Sequence, residues 1–296
     1  MSLQQIYKPI SNELEKVEEL IKTQLASVLN DRKSRGINDE FIREVISHLF
    51  KKPGKRLRPA LVLLSARLVG SPEVQKPETL VQMAAAVELI HSASLIHDDI
   101  IDDSQERRKT PTLNKQFDNT VAVLTGDILY AQFFSLLTNL PGVSNALKLS
   151  LFDLFSNLTR NMCLGEIFQH QIVNHYFEPN FKEYLKVLEN KTALLMSACC
   201  KCGALLNGSS EQEADFMEDF GLHFGLAYQL VDDHIDKDSP LTGEVDLVKQ
   251  AEQHIIKAKE ALFSVSVNGA GKHLDSLCDF VLARAGNPAR IAVNNG

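Results

Sequence analysis

Apolar residues recur at intervals of three and four along most of the chain, and this spacing limits its fold more than any other feature. Such spacing is typical of helices that bury one face. It runs through nine segments: 13–29, 40–50, 59–69, 79–101, 121–138, 147–172, 181–206, 211–236 and 244–265. Alternating strand patterns are scarce, and glycine and proline fall mostly between the segments. The sequence therefore predicts an all-α protein.

Length and composition favour one domain. The chain has 296 residues, of which 44% are hydrophobic, and this is enough to bury a single large core. No internal repeat, low-complexity tract or linker divides it. We therefore predict one domain over residues 1–296, a bundle of about ten or more helices, with an irregular tail at 285–296.

Charge and hydropathy exclude several classes of function. The net charge is -7 and no block of five or more basic residues occurs, so no nucleic-acid partner is expected. No run of about 20 apolar residues occurs, so no membrane span is expected. The opening residues lack the basic-then-apolar order of a signal peptide, so we expect a cytoplasmic protein. The five cysteines lack zinc-ligand spacing and are predicted to be reduced core residues.

The segment 80–101 is apolar or small almost all round, which predicts a helix in the centre of the bundle. Its end nevertheless carries Asp98, Asp99 and Asp102. Asp98 and Asp102 are four apart and share one helical face, where like charges repel and oppose the helix dipole. A divalent cation would remove this conflict, and oxygen-only ligands favour Mg²⁺ or Mn²⁺ over zinc. For one such cluster alone, a solvated helix end is the favoured explanation.

A second cluster has the same spacing. Asp232, Asp233 and Asp236 follow another apolar helical stretch about 130 positions later. Two such clusters, each ending a core-type helix, favour a site in which several Mg²⁺ ions bind ligand phosphates.

Basic residues complement the two clusters. They are Lys55, Arg56 and Arg58 near residue 55, and Arg107 and Arg108 after the first cluster. Arginine binds phosphate oxygens through two N–H groups, and lysine supplies a point charge. Carboxylates for metals and separate cations indicate two anionic ligands, one metal-bridged and one not. This division suggests a reaction in which one diphosphate leaves and another stays.

These residues resemble the motifs of the trans-polyprenyl synthetase family. The motifs that carry the resemblance are, in order, GKRLRP at 54–59, HSASLIHDDIIDD at 91–103, Arg107-Arg108, Gly126-Asp127, Gly165-Glu166 with Gln169, Lys191-Thr192, and Tyr228-Gln229 ahead of 232–236. Together they cover residues from about 50 to 238, and the ordered set is highly specific. The resemblance implies an isoprenoid synthase-like fold around a central cavity, condensation of isopentenyl diphosphate with an allylic diphosphate, and a homodimer.

The resemblance also implies roles for single residues. Two or three Mg²⁺ ions, with Mn²⁺ as an alternative, would be held on the allylic diphosphate by Asp98, Asp99, Asp102 and Asp232, and more weakly by Asp233 and Asp236. The residues implied at the same diphosphate are Arg107, Lys191, Gln229 and Tyr228, the last in place of an expected phenylalanine. Those implied at isopentenyl diphosphate are Lys55, Arg58, His91 and Arg108. Without its flanking motifs, His91 would be taken for a core histidine.

Helix geometry bears on product length. One helical turn rises about 5.4 Å, close to one extended isoprene unit, so the growing tail is predicted to run back along the helix before Asp98. Ser94 and Ala93 are small, and in the family aromatic residues at these positions give short products. Ile90 lies further back, and the candidate floor residues on the next helix are Tyr130, Phe133 and Phe134. We therefore expect a product longer than farnesyl, with a farnesyl- or geranylgeranyl-length product as the alternative.

The match weakens after Asp236. The loop that follows is shorter than the family's, and its diphosphate-binding lysine is absent or replaced by Lys237. This favours one alternative, a catalytically weak subunit of a heteromeric synthase, which the intact aspartates oppose. A class I terpene cyclase would need no second diphosphate site, so the basic residues disfavour it. A scaffold protein is the remaining alternative.

Overall fold

A computed structural model describes residues 1–30, 39–49, 51, 54–69, 76–241, 245–265 and 271–286. The helices in chain order are α1 Leu3–Tyr7, α2 Ser11–Asn30, α3 Asp39–Leu49, α4 Leu57–Leu68, α5 Pro77–Ile101, α6 Leu113–Gln116, α7 Asn119–Thr138, α8 Asn145–Val173, α9 Phe181–Leu188, α10 Leu194–Leu206, α11 Glu211–Asp236, α12 Leu247–Val265 and α13 Lys272–Gly286. A 3-10 helix, Lys8–Ile10, joins α1 to α2, and a π-helix, Glu189–Ala193, joins α9 to α10. The all-α prediction is confirmed for these residues.

One two-stranded antiparallel sheet interrupts the helices of the described chain. It pairs β1, Glu106–Arg107, with β2, Thr110–Pro111. This hairpin lies in the loop directly after the first aspartate cluster. Its tight reversal uses left-handed backbone at Arg108 and Lys109. The hairpin therefore directs two consecutive arginines of that loop back toward the end of α5.

The core is organised around α5 and α10. Helix α5 packs between α4 and α7, and α10 packs between α4 and α11, which also contacts α12. Close approach of α10 to α4 depends on Gly203, because a Cβ there would lie 2.3 Å from the carbonyl oxygen of Val62. Helices α5 and α11 both belong to this core, and each ends in an aspartate cluster. The packing of the core therefore sets where the two clusters lie.

Side-chain caps fix where several helices begin. Ser210 starts α11 with a capping box, in which its hydroxyl accepts from the Glu213 amide and the Glu213 carboxylate accepts from the Ser210 amide. Asp118 starts α7 by accepting from the Val121 amide at 2.8 Å. Such caps satisfy backbone donors that the first turn leaves free.

The observed helices differ from the predicted segments in several places, and the short helices α1 and α6 were not predicted at all. The predicted segment 181–206 is broken by the π-helix, and α13 is missed because its apolar spacing is weak. Ala285 and Gly286, predicted to be irregular, end α13, whereas 287–296 lie outside the described residues. The single-domain division stays a prediction.

Helices α5 and α7 are each long and apolar enough to cross a membrane, by length and composition alone. The absence of a membrane span therefore stays a prediction. Of the apolar window of α5, 72% is buried inside the protein, as expected for the central helix of a bundle. The corresponding share for α7 is 39%, and Val123, Leu124 and Ile128 of this helix are exposed. Helix α7 thus leaves an apolar face uncovered.

Candidate active site

The first aspartate cluster lies at the end of α5. Asp99 is buried, Asp98 is half-buried and Asp102 is exposed. Arg107, on the β1–β2 hairpin, donates from Nη2 to Asp99 Oδ1 at 2.7 Å and from Nε to the same carboxylate at 3.0 Å. Arg107, which the resemblance assigned to the allylic diphosphate, therefore forms a bidentate ion pair with the cluster. Its guanidinium holds Asp99 in place beside the rest of the cluster.

Asp98 faces another carboxylate. Burial and the charge of Glu166 on α8 raise the pKa of Asp98 to about 7, against an ordinary value of 3.8. Lys191 partly offsets this effect, since it lies 2.7 Å from Glu166 and donates to Gln169 at 3.0 Å. Two close carboxylates with oxygen-only chemistry and an unresolved charge conflict fit a hard divalent cation.

The π-helix Glu189–Ala193 positions Lys191. Single π turns inside helices occur often at functional sites. Gly165 of α8 allows the approach, because a Cβ there would lie 2.9 Å from Asn190 and 3.2 Å from the Lys191 nitrogen. The hydroxyl of Thr192 donates to Gln229 Oε1 at 3.0 Å. This one turn therefore contacts both α8, near the first cluster, and α11, near the second.

The second cluster is already satisfied by protein groups. Asp233 is buried and accepts hydrogen bonds from the Tyr184 hydroxyl and, at 2.8 Å, from Gln229 Nε2. Asp232 forms an ion pair with Arg284 of α13. Burial raises the pKa of both aspartates, and these partners oppose the rise. Asp236 is exposed at the end of α11. Gln229, assigned by resemblance to the allylic site, thus binds Asp233.

A polar cavity of about 620 Å³ holds the predicted isopentenyl diphosphate residues together. Its lining includes Lys55, Arg58, His91, Arg108, Tyr228, Asp99 and Asp236. Arg58 Nη1 lies 2.9 Å from His91 Nε2. Burial, and then the nearby arginines, lower the pKa of His91, so it is neutral and accepts from Arg58. The four residues predicted for this diphosphate are therefore brought into one pocket.

Arg56 differs from its neighbours in the basic motif. It forms ion pairs with Glu18 of α2 and Glu88 of α5, and its backbone is left-handed at φ 52°. Its charge is neutralised inside the protein, so it anchors the motif and leaves Lys55 and Arg58 to face the cavity.

An apolar cavity of about 760 Å³ opens beside Asp98. Its lining includes Ser94, His97, Asp98, Ile101, Tyr130, Met162, Cys163, Glu166, Ile167 and Lys191. Of the residues predicted to set product length, Ser94 and Tyr130 line it.

The remaining residues predicted to set product length lie away from this lining. Ala93, Ile90 and Phe133 are fully buried in the core, and Phe134 packs on Phe133 with ring centroids 5.0 Å apart. A role for these four in product length stays a prediction and requires a tail that reaches deeper than this cavity.

Three site residues were missed from the sequence: His97, Arg284 and Tyr184, which donates to Asp233. His97 stacks on Tyr130, with ring centroids 5.9 Å apart, and lies over Gly126, where a Cβ would come within 2.2 Å of its Nε2. Its position next to Asp98 and the Gly126-Asp127 motif were available signals. Arg284 had none, because it is a lone arginine on a helix that the apolar spacing did not predict.

The polyprenyl synthetase family model matches residues 39–250. Octaprenyl diphosphate synthase of Escherichia coli is 34% identical over 227 residues, 75% of this chain and 66% of that protein. Heptaprenyl diphosphate synthase component 2 of Bacillus subtilis is 37% identical over 192 residues, 64% of this chain and 51% of that protein. The chain thus spans about two thirds or less of the length of these two relatives.

Solved structures agree over nearly the whole fold. The crystal structure of a decaprenyl diphosphate synthase from Rhodobacter capsulatus is 25% identical, with a TM-score of 0.80 over 96% of this chain and 99% of that one. A polyprenyl synthase from Caulobacter crescentus is 24% identical, with a TM-score of 0.80 over 96% of this chain and 98% of that one. With the family match, these similarities establish that the chain belongs to the polyprenyl synthetase family.

Proposed function

We propose that the protein is a prenyltransferase that condenses isopentenyl diphosphate with an allylic diphosphate, head to tail and in trans geometry, to a polyprenyl diphosphate longer than farnesyl. One observation carries the proposal. The adjacent aspartates Asp99 and Asp98 line different cavities, the polar one with its cations and the apolar one. The first cluster therefore separates a place for a retained diphosphate from a place for a hydrocarbon tail, as this reaction requires.

The carboxylates provide the ligands for two or three Mg²⁺ ions, with Mn²⁺ as an alternative. Asp98, Asp102 and the exposed Asp236 offer the most available oxygens, and Asp99 and Asp232, which pair with Arg107 and Arg284, lie beside them. When bound, Mg²⁺ stabilises the negative charge that develops on the departing diphosphate. Burial and the negative charge of Glu166 raise the pKa of Asp98, and the same negative charge attracts a cation, so binding of Mg²⁺ would displace the Asp98 proton to solvent. Both carboxylate oxygens of Asp233 accept hydrogen bonds from protein groups, so Asp233 positions the neighbouring metal ligands.

The basic side chains then bind the two diphosphates. Lys191 and Arg107 neutralise the allylic diphosphate as its carbon–oxygen bond breaks. The allylic cation forms at the mouth of the apolar cavity, where little water can trap it. Lys55, Arg58 and Arg108 hold isopentenyl diphosphate so that its double bond attacks the cation. The proton lost in the last step goes to the released diphosphate, the nearest strong base.

The direct test is product analysis. Purified protein is incubated with Mg²⁺, labelled isopentenyl diphosphate and farnesyl diphosphate, and the dephosphorylated products are separated by chromatography. We expect a ladder that ends at one length beyond farnesyl. A single short product would favour a farnesyl- or geranylgeranyl-length synthase. No elongation from any allylic primer by the folded protein would favour the catalytically weak subunit, which the altered loop after Asp236 suggests.

A second test locates the tail. Ser94→Phe places a ring in the apolar cavity one helical turn before Asp98, and we expect it to shorten the product while elongation continues. Ser264→Phe makes the same change at an exposed position on α12 and should leave product length unchanged. Equal product lengths in Ser94→Phe and the unmutated protein would show that the tail avoids this face of α5.

We also propose a cytoplasmic homodimer. Helices α7 and α8 expose apolar side chains on neighbouring surfaces: Val123, Leu124, Ile128, Phe152, Leu164, Ile167 and Phe168. A contiguous apolar surface of this kind marks an interface. A second copy would cover it, and light scattering after size-exclusion chromatography should give twice the monomer mass of 33.0 kDa. A monomer that dimerises only with another synthase component would favour a heteromeric enzyme, as the name of the Bacillus subtilis relative suggests.

A further inference from the structure

Arg284 joins the C-terminal helix to the candidate site. It lies near the end of α13, and its Nη2 donates to Asp232 at the end of α11. Its guanidinium carbon lies 4.9 Å from the centre of the Tyr228 ring, within the range of a cation–π contact. The side chain is only 11% exposed. A buried cation from a distant part of the chain thus lies between the second aspartate cluster and a wall of the polar cavity.

The Arg284 guanidinium can donate a further hydrogen bond. Arg284 Nη1 is buried and has no hydrogen-bond partner among the described residues. Lys55 lies close enough that burial, and then the charge of Arg284, lower the pKa of Lys55. The charges of both Arg284 and Asp232 therefore act on Lys55. A buried donor without an acceptor is costly, and an anion entering beside Lys55 would satisfy it.

The neighbouring loop does not supply a comparable group. The resemblance led us to expect a lysine after the second cluster, with Lys237 as its replacement. Lys237 is exposed and ends α11 in a left-handed conformation, with φ 57°. In the described part of the chain, the cation that contacts Asp232 comes from α13.

We propose that Arg284 is a binding residue for the diphosphate of isopentenyl diphosphate, held on Asp232 until metal ions occupy that carboxylate. Metal loading at the second cluster then releases a cation toward Lys55 and the retained diphosphate. The two events stabilise each other, because each competes with the same ion pair and coupling between two sites is reciprocal. This inference rests on the proposed function and adds to it a coupling: metal at the second cluster tightens the binding of isopentenyl diphosphate, and isopentenyl diphosphate tightens the binding of metal by the same factor.

Calorimetry of isopentenyl diphosphate binding in EDTA tests the proposed role of Arg284 without any turnover. Asp232→Asn frees Arg284, so we expect binding about tenfold tighter than in the unmutated protein, within the usual range of such couplings. Adding Arg284→Gln to Asp232→Asn should remove that gain. Asp236→Asn is the matched control, because it removes a charge from the same cavity without a contact to Arg284. It should change the affinity less than threefold or so, as expected of an exposed charge.

Three outcomes overturn the inference. The gain in Asp232→Asn could persist in the double variant, or it could be matched by Asp236→Asn; in either case Arg284 is a structural ion pair. Arg284→Gln could also lower thermal stability without changing the affinity of the Mg²⁺-loaded protein. Lys259→Gln, which breaks two ion pairs that join α13 to α12, calibrates that loss. Failure of the unmutated, folded protein to bind isopentenyl diphosphate, with or without Mg²⁺, would instead contradict the proposed function itself.

Discussion

The two aspartate clusters share one sequence spacing and one position, the end of a core helix, but their surroundings differ. At the end of α5, Asp102 is exposed and Asp98 faces the carboxylate of Glu166. At the end of α11, Asp233 accepts two hydrogen bonds and Asp232 is paired with Arg284. The first cluster keeps a charge conflict, whereas the protein neutralises the second.

The different surroundings of the two clusters show that spacing alone does not set the function of a carboxylate cluster. Its partners come from elements far away in sequence: α8 for the first cluster, and α9 and α13 for the second. A cluster with unresolved repulsion gains from a cation directly, whereas a satisfied cluster must first release its partners. We therefore expect metal to bind the first cluster with the allylic diphosphate before it binds the second.

The largest effect that this comparison predicts follows Asp98→Asn. Turnover should fall by about 10²–10³-fold, the usual loss when one group that stabilises developing charge is removed. The metal-free protein should nevertheless become more stable at pH 8. The folded state keeps the Asp98 proton up to about pH 7, whereas the unfolded chain loses it near 3.8, so ionised Asp98 destabilises the fold at high pH.

Thermal unfolding measured from pH 8 down to pH 4 checks the stability part. The difference between Asp98→Asn and the unmutated protein should shrink as the pH falls below about 7 and be nearly lost at pH 4, close to the pKa of 3.8 in the unfolded chain. Asp103→Asn is the matched control, because Asp103 is exposed beside the cluster and pairs with Lys115. An Asp98→Asn variant that is less stable at pH 8 would show that the first cluster carries no conflict, and the comparison would fail.

The sequence predicted the positions of the two clusters but not the residues that contact them. Apolar spacing and two aspartate triplets were enough to predict the helical fold and the ends of α5 and α11. The basic motif was enough to predict that Lys55, Arg58, His91 and Arg108 meet in one pocket. Local spacing could not show that Tyr184 and Arg284 contact the second cluster, because these contacts join helices separated by about 50 residues.

Product-length residues show a second limit of the sequence. Ser94 and Ala93 are adjacent and equally small, yet one lines the apolar cavity and the other is buried in the core. A helical turn fixes their relative direction, but only the packing of α7 and α8 against α5 decides which of them faces open space.

A smaller effect concerns pH. A carboxylate with a pKa of about 7 is about nine-tenths ionised at pH 8 and one-tenth at pH 6, so the Mg²⁺ concentration for half-maximal activity should rise about tenfold over that interval. Glu166→Gln removes the nearby like charge and should shift the rise to lower pH. Because both proteins share the same substrates, titration of the substrates cancels in the comparison. If the Mg²⁺ requirement depends on pH in the same way in both proteins, Glu166 does not raise the pKa of Asp98.

The smallest effect should follow Asp233→Asn, the counterpart of Asp98→Asn in the second cluster. Tyr184 and Gln229 both donate to Asp233, and an asparagine offers one acceptor and turns its amide toward the other donor. The free energy of unfolding should therefore fall by about 1–2 kcal/mol, opposite in sign to the first cluster. Turnover should fall only about tenfold, the lower end of the usual loss for such groups, because we expect Asp233 to orient the metal ligands rather than bind metal.

Denaturant unfolding and steady-state kinetics of the same preparation separate these two effects. Asp238→Asn, an exposed change two residues beyond the cluster, serves as the control and should alter neither quantity. A loss of turnover as large as that of Asp98→Asn, with stability unchanged, would mean that Asp233 leaves Tyr184 and Gln229 to bind metal. The two clusters would then act alike, and the partners at the end of α11 would describe only the resting site.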